Sequence, residues 1–87
     1  MRIVVRLLAV RPDSTVKKIF QLKSGEDKSL EDMRAVKDQI AARHPHPGLH
    51  WLMNDRGVIE FSAPQARLDA ERVKFIRTDV EDALASI

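Results

Sequence analysis

Pro45 and Pro47, followed at once by Gly48, cut this 87-residue chain near its middle. Each proline fixes φ, lacks an N–H and pushes the residue before it out of the helical region, so no regular helix runs through this point. The break leaves two stretches of similar size, each too short to bury a core by itself. Both read as two short strands followed by a helix, so the halves must pack on one another. The junction from His44 to Trp51 also holds all three histidines and the only tryptophan.

In the first half, residues 2–10 alternate, with Ile3, Val5, Leu7 and Ala9 on one face and Arg2, Val4, Arg6, Leu8 and Val10 on the other. Arg11-Pro12-Asp13-Ser14 is turn chemistry, since proline presets φ and Asp or Ser bonds the local backbone. Thr15 to Lys23 alternates again, which predicts Val16, Phe20 and Leu22 inward and Lys17, Gln21 and Lys23 outward. The pair reads as an antiparallel hairpin. Ser29 with Asp32 forms a capping-box pattern. The helix it opens carries Met33, Val36, Ile40 and Ala41 on one face and runs to about Arg43. Arg34 and Asp38 stand at the spacing of a surface ion pair.

In the second half, Leu49, Trp51 and Met53 share one face of a strand. Asn54-Asp55-Arg56-Gly57 signals a turn, and Val58 to Phe61 returns as a short strand. Ser62-Ala63-Pro64-Gln65 is one candidate opening for the last helix. Asp69 is the preferred N-cap, with Leu68 stapled onto Val73. From there Val73, Ile76, Val80, Ala83, Leu84 and Ile87 make an apolar stripe. The fold class is α+β: one domain over residues 1–87, β-β-α-β-β-α, a four-stranded and mostly antiparallel sheet with two helices on one face. Pattern alone leaves the strand order open.

The residue inventory excludes several chemistries. With no cysteine there is no disulfide, thiolate metal site or cysteine nucleophile. The three glycines form neither a dinucleotide fingerprint nor a P-loop. Ser14, Ser24, Ser29, Ser62 and Ser86 fall at turns, caps or the terminus, without a nucleophile elbow. Glu31/Asp32 and Glu81/Asp82 are helix neighbours that point to different sides. These observations argue against an enzyme and imply no cofactor. His44, His46 and His50 are candidate nitrogen ligands, yet their spacing matches no zinc pattern, and a solvated junction anchored by Trp51 accounts for them. No apolar run approaches the roughly 20 residues of a membrane span. Charges within Met1 to Arg6 argue against a signal peptide. A cytoplasmic protein away from the membrane is the default expectation.

Charge is unevenly spread. Residues 1–28 hold seven Lys/Arg against three Asp/Glu, whereas residues 64–87 hold four against five. Arg2, Arg6, Arg11, Lys17, Lys18 and Lys23 on the first hairpin suit a phosphate backbone. The same residues would equally guard a sheet edge against aggregation. If the last helix continues through both, Leu68 and Phe75 lie roughly 120° off the apolar stripe and form a second apolar spot beside Arg72 and Asp79; otherwise Leu68 staples the helix start and Phe75 tucks against the neighbouring helix. Exposed aromatics next to arginine are common interface anchors. Asp79, Glu81 and Asp82 put negative charge at a helix C-terminus, where the dipole disfavours it, and this fits a helix presenting carboxylates to a basic partner. The uncovered sheet face, with Val4, Leu8 and Val10, leaves a homodimer open.

Several stretches carry a family likeness. They are the Met1-Arg2-Ile3-Val4-Val5 opening, Ile40-Ala41-Ala42-Arg43 ahead of a proline, the short second hairpin, and Asp69-Ala70-Glu71-Arg72-Val73-Lys74-Phe75-Ile76 opening an acidic last helix. Over about half its length the chain thereby resembles the DinI-like family, small bacterial and phage proteins that modulate the RecA recombinase. The resemblance implies a fold similar to β-α-β-β-α and RecA contact through Glu71, Asp79, Glu81 and Asp82. The chain departs from that pattern by its extra strand, Thr15 to Lys23, and by Arg72, Lys74 and Arg77 in the last helix.

The functional expectation is a small non-enzymatic, regulatory protein-binding module of bacterial or phage type. It would dock through Leu68, Glu71, Arg72, Phe75, Asp79, Glu81 and Asp82, through the basic hairpin, or through both. The alternatives are a DinI-like modulator of the RecA filament and a nucleic-acid-binding protein using Arg2, Arg6, Arg11, Lys17, Lys18 and Lys23.

Overall fold

The structure is a computed structural model that describes residues 1–45 and 50–87. Strands β1 (Val4–Val10) and β2 (Val16–Lys23) precede helix α1 (Leu30–Arg43). Strands β3 (His50–Met53) and β4 (Val58–Pro64), a single 3-10 turn (Gln65–Arg67) and helix α2 (Ala70–Ala85) complete the α+β order. The sheet runs β2-β1-β4-β3, so the first strand of one hairpin and the second strand of the other lie side by side at its centre. Both hairpins are antiparallel, and β1 and β4 are parallel, from Val4 opposite Val58 to Val10 opposite Pro64. α1 carries the chain from one sheet edge to the other.

Local chemistry sets the element ends. In the first turn the Ser14 N–H donates to the Arg11 carbonyl and the Arg11 N–H to the Thr15 carbonyl, both at 2.9 Å. Ser14 there takes a φ of 69°, a conformation that glycine adopts more readily. The Asp13 carboxylate accepts from the Thr15 hydroxyl and the Thr15 N–H, which hold its pKa below the usual 3.8. The Ser29–Asp32 capping box forms as predicted: the Ser29 hydroxyl accepts from the Asp32 N–H, and the Ser29 N–H donates to the Asp32 carboxylate, which lowers its pKa in the same sense. α1 ends at Arg43 with His44 as its C-cap, immediately before Pro45. The Asp69 side chain accepts from the Arg72 N–H at 2.7 Å, so α2 takes the later of its two candidate starts.

The core lies between the sheet and the helices. Ile3, Val5, Leu7, Ile59 and Phe61 from the sheet meet Met33, Val36 and Ile40 of α1 and Ile76, Val80 and Ala83 of α2, all buried. Trp51 is half-buried and joins from the edge, its ring centroid 4.3 Å from that of Phe61, with the Lys37 ammonium 5.9 Å above it. The helices run in opposite directions. Lys28, ahead of α1, donates to the Ile87 carbonyl after α2, while the far end of α1 reaches Asp79.

Three local expectations are corrected. Val16, expected inward, is 56% exposed on the open face of the sheet, opposite Val10, and Lys17, expected outward, stands opposite buried Ala9 on the helix-covered side. The cause is a β-bulge: Leu7 pairs with Phe20 and Leu8 with Lys18, so Ile19 is an extra residue that reverses the alternation of β2 before it. The Arg34–Asp38 pair does not form; Asp38 lies 3.8 Å from the neighbouring Lys37 instead.

Candidate partner-binding site

The helix-free face of the sheet is one candidate surface. Val4, Leu8 and Val10 on it are half-buried, and Leu52 on β3 is 64% exposed. Its centre is polar: Arg6 Nε donates to Gln21 Oε1 at 2.7 Å, and Arg6 Nη1 lies 3.4 Å from Glu60 Oε2. Arg6 is therefore tied down in its own sheet. The other hairpin cations divide between two ends. Lys17, opposite Ala9, Lys18, opposite Leu8, and Arg11 lie toward the turn, whereas Lys23, opposite Val4, and Arg2 lie at the opposite end.

A second surface is concave. Where α1 ends, the 3-10 turn and the first half of α2 enclose an open groove of about 530 Å³. Leu68, Glu71, Arg72, Phe75 and Asp79 all line it, five of the seven residues singled out on the last helix. Ala63 and Ile76 form part of its apolar surface, and Arg43, His44, Pro45, Arg67 and Asp69 complete the lining. The periodicity of α2 explains part of the grouping. Positions 72, 75 and 79 follow one another at three- and four-residue steps, off the stripe that Ile76, Val80 and Ala83 bury, while Leu68 reaches the groove from the turn just ahead of the helix. Phe75, at 58% exposed, is not tucked against the neighbouring helix; Leu68 is half-buried and packs on the core edge.

The charges in and near this groove are unequally engaged. Asp79 is spent inside the molecule, with one carboxylate oxygen 3.1 Å from Arg43 Nη1 and the other 2.5 Å from His44 Nε2. Asp69 is occupied as the cap of α2. Glu81 lies outside the groove and pairs with Arg77 one helical turn away at 3.2 Å. Asp82 also lies outside and makes no ion pair among the described residues. Arg67 and Arg72, in contrast, face the groove without an ion pair among the described residues.

Arg43, Pro45, Ala63 and Arg67 belong to this site and were not legible as such in the sequence, because only tertiary packing brings positions 43 and 79 together. Of the three histidines, His44 bonds Asp79, His50 stands on β3 opposite Ser62, and His46 lies outside the described residues. Among the described residues no three His, Cys, Asp or Glu side chains converge as metal ligands. Nor is any described helix long and apolar enough to cross a membrane. Comparison of the chain with protein-family models, curated proteins and solved structures finds no match.

Proposed function

We propose that this chain is a non-enzymatic protein-binding module that docks on its partner through the outer face of α2, with Leu68, Arg72 and Phe75 as the contact centre and Glu71 and Asp79 at its margin. The observation that carries this reading is Phe75, a phenylalanine 58% exposed on the wall of an open groove, off an apolar stripe whose own residues are buried or half-buried. An aromatic ring left in water beside guanidinium groups has the composition of interface anchors, which concentrate binding energy when a partner covers them. The acidic stretch contributes less than its sequence suggests, since Asp79 and Glu81 are already paired within the fold.

The test compares proteins recovered from a bacterial lysate by the wild type, by Phe75→Ser and by Leu52→Ser on the opposite side of the molecule. The reading expects a protein retained by the wild type and Leu52→Ser and lost with Phe75→Ser. Retention by Phe75→Ser together with loss by Leu52→Ser would move the docking surface to the open sheet face.

A further inference from the structure

The charge state of the groove gives the partner a chemical character. From Arg67 and Arg72, which have no ion-pair partner among the described residues, and the exposed Phe75 between them and Asp79, we infer that the groove takes an acidic peptide segment: one apolar side chain inserted against Phe75 and Leu68, flanked by carboxylates. This inference rests on the docking reading above and adds the polarity of the partner, opposite to what an acidic last helix suggests.

Three observations converge on it. First, the carboxylates that would repel such a segment are engaged: Asp79 holds Arg43 and His44, and Asp69 caps α2. Glu71 alone faces the groove as an acid without an ion pair among the described residues, against Arg67 and Arg72. Second, further cations lie at the groove's end of the sheet. β1 and β4 finish side by side at Val10 and Pro64, so the first hairpin's turn, with Arg11 and nearby Lys17, leaves the same end of the sheet as Arg67. Arg11, Lys17 and Lys18 there outnumber Asp13, whose carboxylate is bonded to Thr15, and would help to steer an anionic segment toward the groove. Third, part of the lining is apolar, with Ala63 and Ile76 buried and Leu68 half-buried. Ala63, Leu68 and Ile76 give a buried side chain something to cover, and a guanidinium can form two parallel hydrogen bonds with a carboxylate.

A nucleic acid fits the same groove less well. A single exposed aromatic ring provides no run of stacking platforms, and Glu71 would face the phosphates.

The test titrates the isotope-labelled full chain with synthetic probes and follows backbone amide shifts. The first probe is a peptide of about a dozen residues with leucine and phenylalanine set among glutamates, a length that would span the groove in extended form. Its counterparts replace the two apolar residues by serine, or the glutamates by lysine. Inorganic phosphate and a short single-stranded oligonucleotide complete the set. The inference expects the glutamate peptide to shift Leu68, Arg72 and Phe75, and expects Phe75→Ser and Arg72→Glu each to weaken it by about tenfold or more. Neither variant threatens the fold: Phe75 is exposed, and a glutamate three residues after the Asp69 cap suits a helix N-terminus.

Stronger binding of the lysine peptide at the same residues would overturn the acidic partner and leave the docking site standing. Equal binding of the serine peptide or of phosphate would reduce the groove to an anion site and overturn the apolar anchor. Tighter binding of the oligonucleotide there would replace the peptide by nucleic acid. Shifts from no peptide at these residues would overturn both the inference and the docking reading.

Discussion

Gly57 is the position where a single methyl group should do the most damage. It closes the second hairpin with a φ of +93°, and a Cβ built there would stand 2.4 Å from the Arg2 carbonyl oxygen and 3.4 Å from its carbon. Both obstacles are backbone atoms, so no side chain can swing away. An L-residue at such a φ costs about 1–2 kcal/mol, partly offset by the roughly 0.4–1 kcal/mol that alanine gains by restricting the unfolded chain. Relief of the clash requires the chain at Arg2 to retreat, and next to it the Val4 N–H donates to the Gly57 carbonyl at 2.8 Å. Weakening that bond adds about 1 kcal/mol, and the displaced start of β1 loses packing around buried Ile3. Gly57→Ala should therefore destabilise by about 2–4 kcal/mol, a large share of the roughly 4–13 kcal/mol expected for a domain of this size. Gly25 supplies the control, since a Cβ there meets nothing within 4 Å. Urea unfolding followed by Trp51 fluorescence and by circular dichroism would give both values. Equal midpoints for Gly57→Ala and Gly25→Ala would show that the turn yields without cost and would refute the reasoning.

Three further outcomes follow from other sites. Ser24 is buried, its hydroxyl accepting from the Ile3 N–H at 2.9 Å and donating to the Glu26 carbonyl at 2.8 Å, so Ser24→Ala strands a buried donor. That change should cost about 1–3 kcal/mol by the same unfolding assay, with Ser29→Ala, a surface cap, nearer 1. Asp13 and Asp32 have folded pKa values below their ordinary 3.8, so the stability they lend is present above that pH and is lost as pH falls through the lower folded values. Acid titration of the unfolding midpoint should accordingly show a decline below about pH 4 that is shallower in the Asp13→Asn/Asp32→Asn double variant; parallel curves would count against it. Val16→Thr, on the open face, should change stability by less than about 0.5 kcal/mol, whereas an inward Val16 would make the same change far more costly.

The elements themselves were legible because their causes are local. Alternation in residues 2–10, the Asn54–Gly57 turn, the Ser29–Asp32 box and the Asp69 cap each act within a few residues, and the chain obeys them. The misplacement of Val16 shows the limit. A period-two reading carries its phase along the whole strand, and one extra residue at Ile19 reverses that phase without any composition signal. The parallel pairing of β1 with β4 was beyond pattern for another reason. It joins residues more than fifty positions apart, and the choice is made by how both hairpins share one helix-covered face.

The site was legible in the same partial way. The offset of Phe75 from the apolar stripe is a property of helical geometry, whereas Leu68 precedes the helix and reaches the same groove through the fold. Charge is different, because a sequence gives the number of carboxylates and guanidinium groups but not which of them are already paired. Asp79 shows the consequence: by position it belongs to an acidic surface, and by geometry it is already engaged by Arg43 and His44, thirty-six and thirty-five residues earlier. Arg67 and Arg72 remain without such partners among the described residues, and they stand on either side of Leu68 in sequence. The polarity of a small charged protein toward its partner is thus set by the charges left over after folding, and on the α2 face of this chain those are led by arginine.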